Sequence, residues 1–251
     1  MSVNFCQFYN NTGNGYESAV NNWVSNCIMF NNSGKGTWSG GGFYNCISYG
    51  NTSEQLGVYA DMNIINCTVD GEGSSLGVSS VDQRSLIVNS IIYNCTTGIS
   101  ADTGANAWTT SRNNIFYANA TDRDADWDSH ASEISGDPLF VGEGDLVEGS
   151  DGNTYKCILD IASSVDATHK PITGTDWSTY FRLFYTGGGL GSAWQTGVAY
   201  TGDTNDYRLG AGSPALAAGI DVGEVTNSAS FIDIGAHQRQ QATQIVGLEL
   251  T

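Results

Sequence analysis

Short apolar triplets punctuated by asparagine recur along the first half of the chain. They read Cys6-Gln7-Phe8-Tyr9-Asn10-Asn11, Cys27-Ile28-Met29-Phe30-Asn31-Asn32 and Cys46-Ile47-Ser48-Tyr49-Gly50-Asn51. They continue as Cys67-Thr68-Val69-Asp70, Ser90-Ile91-Ile92-Tyr93-Asn94-Cys95 and Asn114-Ile115-Phe116-Tyr117-Ala118-Asn119. β-Branched and aromatic residues in brief runs, bounded by Asn and Gly, predict short strands between tight turns. The leading residue of each unit falls at 6, 27, 46, 67, 90 and 114, in steps of 21, 19, 21, 23 and 24 residues. Helical hairpin repeats need about 33–45 residues, and leucine-rich repeats need a Leu ladder that is missing here. A coil of three short strands per turn fits the period. The predicted fold class is all-β: a right-handed parallel β-helix with coils of about 21 residues, stacked at the strand spacing of about 4.8 Å.

Stacked coils place equivalent residues above one another. Cys6, Cys27, Cys46 and Cys67 then form an inward file, continued by Ser90 and Asn114. A free cysteine behaves as a small buried apolar residue. Disulfides between neighbouring coils are the alternative, but Ser90 and Asn114 occupy the same file and cannot cross-link. Asn11, Asn32, Asn51, Cys95 and Asn119 form a second file, whose amides can bond one another and the turn backbone. This ladder resembles the Asn ladder at the turns of pectate-lyase-like right-handed β-helices, and the resemblance implies an architectural role. The C-terminal part resembles the closing pattern of secreted β-helix families, in Asp137-Pro138-Leu139-Phe140, Asp206-Tyr207-Arg208-Leu209, Gly212-Ser213-Pro214-Ala215 and Asp233-Ile234-Gly235-Ala236. That likeness implies the last coils and carries no catalytic group.

Between Phe140 and Asp206 lie 65 residues, too many for a structureless loop in a compact domain. The predicted organisation is residues 1–141 as β-helix coils, 142–203 as a small inserted antiparallel β module, and 204–251 as closing coils and tail. The insert, with Gly144-Asp145-Leu146-Val147, Gly152-Asn153-Thr154-Tyr155-Lys156-Cys157 and Thr173-Gly174-Thr175-Asp176-Trp177, resembles the chitin-binding-like modules of phage tail proteins and extracellular hydrolases. The resemblance implies carbohydrate binding, with Tyr155, Trp177, Tyr180 and Trp194 as candidates, because aromatic faces stack on the C–H face of sugars. Tyr155 and Trp177 could equally fill the core of so small a module.

Charge narrows the partners. With 9 Lys+Arg against 26 Asp+Glu the net charge is −17, which repels phosphate backbones and argues against nucleic acid. No apolar run is long enough to span a membrane. No charged segment followed by an apolar one marks a secretion signal near Met1, and the repeats begin at once, so upstream residues or a subunit partner are expected to cover the first coil. Asp122, Asp124 and Asp126 alternate like the start of a Ca²⁺ loop, with Glu133 at the twelfth position, although Trp127 stands where Gly is wanted. No cofactor is required, and Ca²⁺ is the one candidate. Catalysis would need a base beside a uronate carboxylate or two facing carboxylates. Asp82, Arg84 and Asp61 are the candidates, with Glu54 and Asp70 on neighbouring coils. Three readings follow. The leading one is an extracellular or virion-surface protein, such as a phage tail-fibre or tailspike segment, that binds polysaccharide or cell-surface glycan. The others are a polysaccharide lyase or glycoside hydrolase, and a structural filament or spacer. Homo-oligomerisation, as a trimer, suits the first and third.

Overall fold

A computed structural model describes residues 2–73, 75–80, 85–101, 109–124, 130–140, 144–161, 167–203, 206–220 and 234–235. The repeat triplets form one seven-stranded parallel sheet: Gln7–Tyr9, Ile28–Phe30, Ile47–Tyr49, Thr68–Asp70, Ile91–Tyr93, Ile115–Tyr117 and Ile134–Ser135. This is the second face of a solenoid. A nine-stranded sheet supplies the other two. Its first-face rungs are Ser2–Asn4, residues 23–25, 42–44 and 62–65, Ser85–Val88 and Thr109–Arg112. Its third-face rungs are residues 16–18, 37–39 and 54–58, Leu76–Ser80, Thr97–Ala101 and Thr121–Arg123. In three coils the third face runs through a bend into the next first face as one strand, Tyr16–Ser25, Thr37–Tyr44 and Glu54–Ile65. Register is kept from coil to coil, with Ile28, Ile47, Thr68, Ile91 and Ile115 aligned.

Asparagine makes the corners. Asn26, Asn45, Asn66, Asn89 and Asn113 turn the first face into the second with φ of 51–54°. Asn10, Asn31 and Asn94 turn the second into the third at 54–56°. Asn enters this left-handed region more readily than other residues with a Cβ, because its short side chain can bond locally.

The cysteine file is inside, and all six cysteines are unpaired thiols. Cys27, Cys46 and Cys67 each donate to the carbonyl two residues back, of Ser25 (3.1 Å), Tyr44 (3.3 Å) and Ile65 (3.5 Å). The file continues as expected: the Cys67 N–H donates to Ser90 Oγ (3.1 Å) and the Ser90 N–H to Asn114 Oδ1 (2.8 Å). In the second file, Asn11 N–H donates to Asn32 Oδ1 and Asn32 N–H to Asn51 Oδ1, both at 3.1 Å. The fourth coil interrupts it with an excursion after Asp70, through Glu72 (φ 49°) and Gly73 (φ 76°). Ser75 takes the vacant rung, and Gln55 bridges to it, donating to Ser75 Oγ at 2.6 Å and accepting from Asn51 Nδ2 at 2.7 Å. The rest of the interior is mostly apolar, with Val24, Met29, Phe43, Leu56, Ile64, Val69, Ile87, Ile92 and Ile99 fully or almost fully buried and Thr37, Ser39, Ser48 and Ser111 among them. Each of the apolar side chains contributes on the order of 1.5–3 kcal/mol by leaving water.

Among the described residues, no strand after Ser135 pairs with a solenoid strand; most of the expected closing stretch, residues 204–205, 221–233 and 236–251, lies outside the described residues. Phe140, Tyr207, Ala215 and Ile234 pack over the outer side of the second face, against Ile47, Ile91, Tyr93 and Ile115. The physical reason is that outward file of isoleucines, an apolar strip that must be covered. One expectation is corrected: the insert is not wholly antiparallel. Leu146–Glu148, Thr154–Cys157 and Phe181–Tyr185 pair antiparallel, but the short strand Ser192–Ala193 lies parallel to the first of them.

Candidate functional site: a locked module with an aromatic rim

The outward file of the second face reads Tyr9, Phe30, Tyr49, Asp70, Tyr93 and Tyr117. Tyr9, Phe30 and Tyr49 stack at 4.8 and 5.2 Å with their planes 8° apart. Asp70 breaks this aromatic series, and the insert meets the solenoid there. Its carboxylate is fully buried. It accepts hydrogen bonds from Tyr93 Oη (2.7 Å), Tyr207 Oη (3.0 Å), Asn94 Nδ2 (3.2 Å) and the Glu72 N–H (2.8 Å). From the insert comes Lys156, 1% exposed, with its ammonium 2.8 Å from Asp203 and 3.8 Å from Asp70. The same ammonium lies 5.2 Å from the Phe184 ring centre and 5.6 Å from that of Tyr93. Outside it, Arg182 pairs with Glu72 at 2.6 Å.

Burial raises the Tyr207 phenol well above its ordinary pKa, with Asp70 adding to the shift. Burial also raises Glu72, opposed by Arg182 and reinforced by Asp70. A desolvated lysine between two aspartates is stable only while all three stay together. With Asp70, Lys156, Tyr93 and Tyr207 all under 5% exposed, the cluster holds parts together and offers no surface to a substrate. The fourth-coil excursion is what reaches the module, and a Cβ on Gly73 would sit 2.8 Å from the Leu183 carbonyl oxygen.

The four aromatic candidates are gathered in the module. Tyr155 is core, 4% exposed, with its hydroxyl donating to Asp151 at 2.7 Å. Burial and that bond push its pKa up to about 12. Trp177 meets the Tyr155 ring edge-on at 5.4 Å, and Trp194 stacks on Tyr200 at 4.9 Å and 11°. Tyr180 packs on His169 at 4.5 Å. Trp177, Tyr180 and Trp194 are half-buried around the core of Val147, Tyr155, Cys157, Ile161, Phe181 and Tyr200. They therefore form a rim, fixed on one side and wet on the other.

The catalytic candidates fare differently. Asp82 and Arg84 lie outside the described residues, as does Asp126, and only the backbone of Asp61 is described, at the bend of Glu54–Ile65. Glu54 pairs with Lys35 at 3.0 Å and accepts from Ser79. Glu133, the twelfth position of the acidic run, is bound to Arg123 and Ser111. Arg123 lies 4.6 Å from the Phe116 ring centre, so this pair plugs the end of the apolar interior. Asp122 accepts from Asn119 Nδ2 at 3.1 Å, and Asp124 follows on the same strand end. Among the described residues no group of three His, Cys, Asp or Glu is placed to hold a metal ion.

No protein-family model matches the chain, and no curated protein matches its sequence. A search of solved structures found a likeness to the crystal structure of pectate lyase Pel9A, at 16% identity and a TM-score of 0.44. The match covers 95% of this chain and 65% of that one, so the chain spans about two thirds of that protein's length.

Proposed function

We propose that the chain is a glycan-binding β-helix that engages polysaccharide through its module and does not cleave it. The observation that carries this reading is the rim of Trp177, Tyr180 and Trp194 on a module clamped to the solenoid by Lys156, Asp70 and Asp203. Rigid aromatic platforms bind sugars at low entropic cost, and a buried lock keeps the platform in fixed orientation. The module's sequence resemblance to chitin-binding-like modules points the same way. So does the engagement of Glu54, Asp70, Glu72 and Glu133 in structural contacts. An extracellular or virion-surface setting, as in a tail fibre, fits a rigid glycan-reading rod.

The test is incubation with neutral and uronate polysaccharides, with Ca²⁺ and with chelator, reading retention, new unsaturated ends and reducing sugar together. Retention without cleavage is expected, with loss in the Trp177→Ala/Trp194→Ala double variant. Cleavage in either chemical channel would replace binding with the lyase or hydrolase reading. Neither retention nor cleavage, with a defined oligomer by light scattering, would leave the structural one.

A further inference from the structure

The outward side of the first face carries a second feature that the module does not explain. Its aligned rows are Ser2, Trp23, Gly42 and Asn63, and beside them Asn4, Ser25, Tyr44 and Ile65. Trp23 is 45% exposed, unusual for a residue inside a regular parallel sheet. Its ring lies across the next coil, where Gly42 leaves room: a Cβ on Gly42 would run into the indole. Tyr44 braces the ring from the side, at 5.0 Å and 38°. The benzo side of the indole is thus held over Gly42, while the residue as a whole stays 45% exposed.

The surroundings are polar and uncharged. Ser25 Oγ and Asn26 Nδ2 donate to Asn4 Oδ1 at 3.2 and 2.9 Å, and Asn45 Nδ2 donates to Asn26 Oδ1 at 3.3 Å. This chain of amides runs along the corner beside the ring. In a chain of net charge −17, the positions Ser2, Asn4, Trp23, Ser25, Gly42, Tyr44 and Asn63 carry no charge. A flat indole supplies a stacking surface for the C–H face of a pyranose, and fixed amides and hydroxyls supply hydrogen bonds to its hydroxyls. Among the described residues of these rows the first cation is Arg112, four coils beyond Ser25, so none of them stands beside Trp23 to neutralise a carboxylate or sulfate.

We infer that Trp23, bracketed by Tyr44 and the Asn4–Asn26–Asn45 amides, is a second saccharide contact, on the solenoid itself, selective for neutral glycan chains. The inference rests on the glycan-binding reading but not on the module. It is tested by measuring Kd for a neutral soluble glucan and for a polyuronate of similar length, on the whole chain. The variants are Trp23→Ala, Trp23→Tyr, Gly42→Ala and the module double variant, each checked for its thermal transition and its mass by light scattering.

Trp23→Ala is expected to weaken glucan binding at least tenfold, and Trp23→Tyr less. Gly42→Ala, which keeps the indole but lifts it, is expected to weaken binding as well. If Trp23→Ala loses its folded transition, Trp23→Tyr and Gly42→Ala carry the comparison. Unchanged glucan affinity in the Trp23 and Gly42 variants, with loss in the module variant, overturns this inference and leaves the proposed function standing. Binding of polyuronate but not glucan does the same. A changed oligomeric mass in Trp23→Ala with unchanged affinity identifies a second copy as the occupant instead. No binding of any glycan by the unaltered chain removes both.

Discussion

At the residue scale, cysteine serves here as a packing residue. The Cys27 thiol is pushed well above its ordinary pKa, first by its hydrogen bond with Cys46 and then by burial. Burial does the same to Cys46 and Cys95, and raises Cys157 to about 12. Since the thiolate is the reactive form, these four are expected to resist an aromatic disulfide reagent at pH 8 in the native protein. In denaturant all six should react. Fast native labelling of Cys46 or Cys95, read by peptide mass, would contradict this placement. The inward role was legible because Ser90 and Asn114 continue the file. The buried role of Asp70 was legible in principle, since a carboxylate interrupts a file of Tyr, Phe and Tyr. Its partners Lys156 and Asp203 were not, because nothing in local sequence joins residues so far apart.

At the scale of elements, the coil depends on corners that accept positive φ. Asn fills most of them, but Ala118 sits at 54° with no amide to compensate. The left-handed region costs such a residue about 1–2 kcal/mol, part of which glycine recovers at some cost in chain entropy. Ala118→Gly is therefore expected to stabilise the protein by about 0.5–1 kcal/mol, seen as a higher urea midpoint with unchanged slope. A lower midpoint would show that the methyl packs usefully. The period and both files were legible, because stacking forces like residues into register. Substitution of Ser75 for a ladder rung was hidden by the excursion, which breaks the spacing that the other coils keep. The alternating acids Asp122, Asp124 and Asp126 match the start of a Ca²⁺ loop by spacing; Asp126 lies outside the described residues, and spacing does not reveal that Glu133 pairs with Arg123.

At the scale of the whole molecule, the module, the closing segment and the solenoid meet at one buried charge cluster. Lys156→Met leaves Asp70 and Asp203 desolvated without their cation, and is expected to cost about 3–5 kcal/mol. Adding Asp70→Asn and Asp203→Asn should recover much of that loss in urea unfolding, and no recovery would refute the lock. Glu72 gives the lock a pH signature. Its folded pKa is raised, so the folded state holds the proton more tightly than the unfolded state. Its contribution is fully present below the unfolded carboxylate pKa and is lost as pH rises through the folded one. The stability of the unaltered protein minus that of Glu72→Gln should therefore decline from acid toward neutral pH. A flat or rising difference would show that Arg182 outweighs burial. The closing pattern was recognisable as sequence, but its place over the second face was not, because the pattern records which residues are buried and not what they cover.

Coils stacked in register are the premise of every contact described above, and sulfur positions test that premise most directly. An anomalous-scattering map from a crystal should show the sulfurs of Cys6, Cys27, Cys46 and Cys67 in one row at steps of about 4.8 Å, with Cys95 and Cys157 off it. Four sulfurs scattered through the molecule, or spaced by much more than one strand, would contradict the coil.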